Sequence, residues 1–335
     1  MKVYRFDKTG SIDQLTLHDE PTPQPQRGEV LVRIRATSLN YRDIAMVHGS
    51  YAVQQPGVVP LSDAAGEIAG IGEGVTRFKP GDRVISIFHP RWAGGNPHAT
   101  MSAEVYGLDH DGWLAEYKVV SQEALVAAPP ALSFEEAATL PCAALTAWTA
   151  LQGFKPIKPG DTVLTQGTGG VSVFAVQLAK MLGARVIATT SSADKAAKLR
   201  ALGADEVINY VETPNWGEAV RQLTDGQGVQ RVVEVGGPGT LQQSFRAIAN
   251  RGEIALIGFL ASEPSSIDFN TLFRSGAVVF RVFVGDRSGL EDLGRAITAS
   301  ALKPVVDKVF PFDQAVDAWH YFDQRKFFGK VVISH

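Results

Sequence analysis

Between Thr162 and Val284, strand-like and helix-like segments alternate without interruption, and that alternation leaves few folds open to the chain. TVLTQ (Thr162–Gln166), RVIATT (Arg185–Thr190), EVI (Glu206–Ile208), RVVEV (Arg231–Val235) and EIALIGF (Glu253–Phe259) read as strands, with VVFRVFV (Val278–Val284) as a sixth. Val171, Phe174, Ala175, Leu178, Ala179 and Leu182 form one helical stripe that stops at Gly183. A second helix is expected from about Ala193 to Leu202. A third carries Trp216, Ala219, Val220 and Leu223, with Thr213 as its cap and Pro214 at its first position. Leu241, Phe245 and Ile248 mark a fourth. Apolar strands separated by helices call for a parallel sheet covered on both faces. Right-handed crossovers make that sheet doubly wound, so the fold class is α/β.

The remainder of the chain has a different texture. Up to about residue 125 it shows short strands between turn residues, such as EVLVRIRATSL (Glu29–Leu39) and GDRVISIF (Gly81–Phe88), and little helical periodicity. Ser133 and Glu136 have the spacing of a capping box and open a helix expected over roughly Phe134–Leu151. A β-rich domain over 1–125 followed by an α/β domain from 126 onward fits a chain of 335 residues. A net charge of -3 gives no footprint for nucleic acid or an anionic membrane. One cysteine excludes a disulfide framework or a thiolate-rich zinc site. No stretch approaches a bilayer span and the N-terminus has no apolar leader, so a cytoplasmic protein is expected.

Gly167-Thr168-Gly169-Gly170-Val171-Ser172 lies directly between the first strand of the alternating region and its helix. Glycine at 167 permits the tight turn, glycine at 169 lets backbone approach a pyrophosphate, and the helix N-terminus supplies free N–H groups. Ser172 stands where a third small residue is usual. The second strand ends in Thr189-Thr190-Ser191-Ser192, where a site for NAD usually carries a carboxylate. Hydroxyls there, with Lys195 and Lys198 following, can bind the 2′-phosphate of NADPH that a carboxylate would repel. NADPH is therefore the expected cofactor, although Asp194 lies close by. Gly236, Gly258, Phe259 and Val284, at or just beyond strand C-terminal ends, are expected along the cofactor crevice.

These segments, with NYRDIAMVHGSY (Asn40–Tyr51), AAGEIAGIGEGVTRFKPGDRV (Ala64–Val84), ATLPCAALTAWTAL, ALGADEVINY and the terminal GKVVI, resemble the medium-chain dehydrogenase/reductase superfamily over essentially the whole chain. The likeness is strongest to its zinc-lacking, alcohol-dehydrogenase-like and quinone oxidoreductase-like members. It implies a Rossmann dinucleotide-binding domain over 126–285 joined to a β-rich GroES-like catalytic domain over 1–125 and 286–335, with the substrate cleft between them. It places Asn40 and Ser62 where zinc members have a Cys and a His ligand, and leaves Cys142 as the remaining ligand position. One protein ligand cannot hold a catalytic zinc, so no metal is expected. His89, His98 and His110 have the irregular spacing of loop residues.

The implied reaction is hydride transfer from NADPH to a quinone, an α,β-unsaturated carbonyl or another small carbonyl substrate. Hydrogen-bond donors would replace the metal as the electrophilic aid, with Asn40 and Tyr51 as candidates. By family position, Thr146 is expected near the nicotinamide and Tyr210 near the adenosine phosphate; Lys330, after Gly329, is a cofactor-binding candidate if it reaches the cleft and is otherwise a surface residue. The segment His89–Trp113 and the loop Ala261–Asn270 are expected to shape the pocket. Family members pair the edge strand Val278–Val284 across a two-fold axis, which implies a homodimer. Two other readings remain open from sequence: an NAD(P)-dependent secondary alcohol dehydrogenase, and a weakly catalytic NADPH-binding sensor or structural protein.

Overall fold

The structure, a computed structural model, describes residues 1–51, 56–96, 104–258, 260 and 267–335. Its contacts divide the chain into a unit formed by Met1–Leu145 with Gly285–His335 and a unit formed by Thr146–Val284. The sequence reading drew the first boundary at 125/126. The segment that follows stays with the first unit because its short helix packs on that unit's main sheet.

The first unit begins with a two-stranded antiparallel ribbon, β1 (Lys2–Phe6) and β2 (Leu15–Asp19). β3 (Glu29–Ser38) alternates buried and less buried residues, as its period-two sequence requires. It runs into α1 (Tyr41–Val47), whose start is held by Asp43: the carboxylate accepts the Asn40 backbone N–H at 2.7 Å. β4 (Asp63–Ile71), β5 (Arg83–Ser86), β6 (Tyr117–Ser121) and β7 (Leu125–Ala127) extend the sheet around β3. α2 (Phe134–Ala137) packs on β3 and β4. The expected capping box is present: Ser133 Oγ accepts from Glu136 N–H at 3.1 Å and Glu136 Oε2 from Ser133 N–H at 2.8 Å. The single helix expected over Phe134–Leu151 is instead broken. A π-turn occupies Leu140–Ala144, around Pro141, which has no N–H to continue an α-helix, and α3 (Leu145–Gln152) follows.

In the second unit, β8 (Thr162–Gln166), α4 (Gly170–Met181), β9 (Arg185–Thr190), α5 (Ala193–Ala201), β10 (Glu206–Asn209), α6 (Trp216–Leu223), β11 (Val229–Glu234), α7 (Pro238–Ala247), β12 (Ile248–Leu256), α8 (Phe269–Ser275) and β13 (Val278–Arg281) succeed one another. Their sheet has the order β10-β9-β8-β11-β12-β13 and every pairing is parallel. That is the doubly wound order with its switch point between β8 and β11. Leu164, Ile187, Val232 and Ile254 from the sheet pack with Trp216, Val220, Leu241 and Phe245 from the helices.

Two local expectations change. α6 begins at Trp216 with Asn215, not Thr213, at the N-cap position; Thr213 lies in the preceding turn, its N–H donating to the Asn209 carbonyl, and Pro214 precedes the helix instead of opening it. The sixth strand ends at Arg281, not Val284: Val282 N–H closes onto Leu256 O, and Val284 has φ +55, a left-handed conformation incompatible with a strand. After it the chain re-enters the first unit through α9 (Arg287–Ser300), β14 (Val306–Pro311), α10 (Ala315–Asp323) and β15 (Lys330–Ser334). β15 lies between β14 and β3, completing a sheet of order β14-β15-β3-β4-β5-β7, with β6 also on β3. Among the described residues no helix is long and apolar enough to cross a membrane.

Candidate functional site

The second unit carries the nucleotide side of the site. Gly167 follows β8 with φ +71, and Gly169 caps α4 in an extended conformation. A Cβ built on either residue meets no atom within 4 Å, so the loop faces open space. The amides opening the twelve-residue helix α4 lie beside that space, which suits a pyrophosphate. Thr168 is buried, while Gly170 and Val171 are partly exposed. Ser172 is buried and donates from Oγ to the Gln166 carbonyl at 2.6 Å, tying the first helical turn to the strand.

The ends of β9 and β10 adjoin this loop. Gly167 N–H donates to Thr189 O at 2.8 Å, and Tyr210 N–H to Thr190 O at 3.0 Å. Ser191 is exposed, and Ser192 caps α5 by accepting the Lys195 N–H. Ser191, Ser192 and Lys195 thus follow directly on the strand end that bonds the glycine loop, Tyr210 is exposed at the end of the neighbouring strand, and the nearest acidic residue in sequence, Asp194, is exposed on the first turn of α5. Thr146 is buried on α3.

Across the switch point lies a group the sequence reading missed. Glu234, fully buried at the end of β11, accepts from Gln166 Nε2 at 2.7 Å, from Ser244 Oγ and Thr240 Oγ1, and from the Gly236 and Gly237 N–H groups at 2.9 Å. It joins the end of β8, immediately before Gly167, to the loop after β11. The signal was a carboxylate inside the apolar run RVVEV, since both faces of such a strand are buried. Gly236 and Gly258 are glycine for packing: a Cβ would lie 2.3 Å from Thr240 Oγ1 and 2.7 Å from Val235 O respectively. Val284 is half-buried. Phe259 and His98 lie outside the described residues, as do parts of the two segments expected to shape a pocket.

In the first unit, Ser62 and Cys142 meet at one buried carboxylate, Asp63, and Asn40 joins them through Lys330. Ser62 Oγ donates to its Oδ1 at 2.8 Å and Cys142 N–H to its Oδ2 at 3.2 Å. Lys330, 2% exposed, brings its ammonium to 3.9 Å from Asp63 Oδ2 and donates to Asn40 Oδ1 and Leu39 O, both at 2.6 Å. Of the two places expected for Lys330, the surface is excluded: its side chain is buried in this cluster. Asn40 is 7% exposed, and its amide Nδ2 is buried without a hydrogen-bond partner among the described residues. Burial pushes the Asp43 carboxyl up to about 6, against the pull of Arg42. Burial lowers the Lys330 pKa, with Asp63 opposing. Tyr51 sits exposed, beside residues that are not described.

A zinc ion does not fit these groups. The candidate donors are an amide, a hydroxyl and a thiol, and burial followed by the Asp63 charge pushes that thiol well above its usual range. An ammonium already supplies positive charge beside them. Elsewhere, His89 is buried against the rings of Phe88 and Trp92, and His110 is a surface residue 3.3 Å from Glu104. Among the described residues no three His, Cys, Asp or Glu side chains are grouped to hold a metal ion.

Comparison with known proteins covers both units. The family profile described as alcohol dehydrogenase GroES-like domain matches residues 26–130, and the one described as zinc-binding dehydrogenase matches residues 170–299. A zinc-type alcohol dehydrogenase-like protein of Schizosaccharomyces pombe is 43% identical over 98% of this chain and 97% of its own length. Among solved structures, an NAD-dependent alcohol dehydrogenase superposes with a TM-score of 0.91 at 34% identity, covering all of both chains. Escherichia coli quinone oxidoreductase, solved as its NADPH complex, superposes with a TM-score of 0.84 at 25% identity, again covering all of both chains.

Proposed function

Because the chain belongs to the medium-chain dehydrogenase/reductase superfamily, a family of oxidoreductases, we propose that it is a zinc-independent, NADPH-dependent reductase of quinones, α,β-unsaturated carbonyls or related small carbonyl compounds. The observation that carries this reading is the buried, unpartnered amide donor of Asn40 in a cluster whose cation is a lysine. A donor so placed can stabilise charge developing on a carbonyl oxygen. It cannot lower the pKa of an alcohol as a metal does, and that favours carbonyl reduction over alcohol oxidation.

Bound NADPH supplies the hydride. The chain's own residues hold and select the nucleotide: the Gly167–Val171 loop and the start of α4 receive the pyrophosphate, and Ser191, Ser192 and Lys195 receive the 2′-phosphate at a strand end without a carboxylate. Tyr210 borders the adenosine side, while Gly236 and Gly258 let backbone pack closely at the sheet's C-terminal edge. Glu234 keeps the β8 and β11 loops in register. On the substrate side, Asn40 donates to the carbonyl oxygen, with Tyr51 as a second donor.

The protein forms a homodimer through β13. This edge strand is unpaired on one side within the described residues and exposes Val278 and Val279, and the exposed ring of Phe154 lies against Phe280 of the same strand.

The test is cofactor oxidation by purified protein with NADPH and, separately, NADH, against quinones, enones, aldehydes and secondary ketones. Faster turnover of a quinone or enone with NADPH is expected. Tight NADPH binding without turnover of any substrate would instead indicate a sensor. Oxidation of secondary alcohols with NAD as the leading activity would indicate an alcohol dehydrogenase.

A further inference from the structure

A side-chain amide carries an acceptor at one corner and a donor at the other, and its neighbours decide which faces a ligand. At Asn40 the deciding neighbour is Lys330. An ammonium has three donors and no acceptor, so the amide atom 2.6 Å from it must be the carbonyl oxygen. The NH2 group is thereby turned the other way, where it is buried without a partner. A buried donor left unsatisfied is a standing cost to the fold, and it is recovered when an acceptor arrives.

The sheet sets this geometry before any ligand is present. β15 pairs antiparallel with β3, Val332 opposite Ser38, and Leu39 N–H donates to Val331 O. That register places Lys330, the first residue of β15, beside Leu39 and Asn40. Gly329 makes the approach possible: it has φ +90, and a Cβ there would lie 2.5 Å from Val305 O. Asp63 offsets the buried ammonium from the far side, and its own carboxylate is held by Ser62 Oγ and Cys142 N–H.

We propose that Lys330, held by Asp63, is a positioning residue that locks the Asn40 amide with its NH2 group toward the substrate's carbonyl oxygen. This rests on the reductase reading given above. As the electron-poor carbon of the substrate accepts hydride from NADPH, the π pair moves onto the oxygen. Asn40 stabilises that oxygen by a hydrogen bond and keeps its proton; the proton that completes the reduction comes from water. Lys330 touches neither reactant and acts through the orientation of the amide alone.

The decisive variants preserve packing. Asn40→Asp leaves Lys330 its acceptor and replaces the NH2 group by an oxygen; kcat for NADPH-dependent reduction of a 1,4-benzoquinone or 2-cyclohexenone should fall on the order of 100-fold. The double variant Lys330→Met/Asp63→Asn removes both buried charges together and frees the amide to turn; kcat should fall about 10- to 100-fold with KM changed less than about threefold. Combined with Asn40→Asp, the same pair of changes should alter kcat by less than about twofold, because there is no longer a donor to orient. A readout independent of turnover is the carbonyl stretch of 13C-labelled 2-cyclohexenone bound without cofactor: it should be lowered in the wild type and return toward its solution value in both variants. An equal loss from Lys330→Met/Asp63→Asn in both Asn40 backgrounds, an unshifted carbonyl band in the wild type, or a wild-type shift retained in the variants would overturn the proposal. Active wild type with uncoupled variants defeats this assignment alone, whereas a wild type inert toward every substrate defeats the reductase reading and this assignment with it.

Discussion

Asp43 offers a prediction with a definite sign. Its side chain is wholly buried, one oxygen accepting the Asn40 N–H at 2.7 Å and the other without a partner. Burial raises its pKa from an ordinary 3.8 to about 6, with Arg42 pulling the other way and Asp63 adding to the rise. Between those values the native state holds a proton that the unfolded chain has released. Stability from this group is therefore complete below about pH 4 and is lost as pH rises through 6. A gap of about 2 between the two pKa values, at 1.36 kcal/mol each, makes the loss about 3 kcal/mol. Asp43→Asn keeps an acceptor for Asn40 N–H and cannot titrate. Urea unfolding followed by circular dichroism at pH 4.5, 5.5, 6.5 and 7.5 should show Asp43→Asn gaining on the wild type by about 2 kcal/mol across the series, most of it below pH 6.5. Any fixed offset from the substitution cancels in that slope. A difference independent of pH, or one that moves toward the wild type as pH rises, would refute the reasoning.

Three further expectations come from the second unit. Arg231 and Glu253 form a buried pair at 2.8 Å that also holds the Phe154 N–H and the Lys155 carbonyl. Glu253→Gln should cost about 3–5 kcal/mol in unfolding free energy, and Arg231→Met/Glu253→Met clearly less, since both charges leave together. Lys195→Ala should weaken NADPH binding about tenfold by fluorescence titration while changing NADH binding less than about twofold. Val279→Lys, which places a charge on the exposed β13 edge, should halve the mass measured by analytical ultracentrifugation at micromolar concentration; an unchanged mass would place the dimer contact elsewhere or remove it.

The parallel sheet was legible because its evidence is periodic and local: apolar strands, helical stripes and a glycine loop at the junction of the first pair. Boundaries failed where one backbone group overrode the pattern. Pro141 interrupts a helix whose apolar periodicity runs straight through it. Thr213 looks like a cap, yet it belongs to a turn that ends before the helix, which starts at Trp216. Val284 prolongs a β-branched run but turns left-handed.

On the nucleotide side the hydroxyl-rich end of β9 was plain, because residues close in sequence build it. The Asn40 cluster was only half visible. Asn40 and Cys142 could be placed by their motifs, but Lys330 stands 290 residues from Asn40 and reads as an ordinary strand-start lysine. Only the register of β15 on β3 brings the two together. Asp63 and Glu234 left a fainter trace, each an acid set among apolar residues. A buried carboxylate must find donors, although sequence does not say which.

The most direct trial of a metal-free, amide-assisted reductase is turnover after metal removal. Protein dialysed against EDTA, with its zinc content measured by mass spectrometry, should reduce 1,4-benzoquinone or 2-cyclohexenone with NADPH at the rate of the untreated enzyme while holding far less than one zinc per chain. Activity that disappears on dialysis and returns in proportion to added zinc would contradict the account.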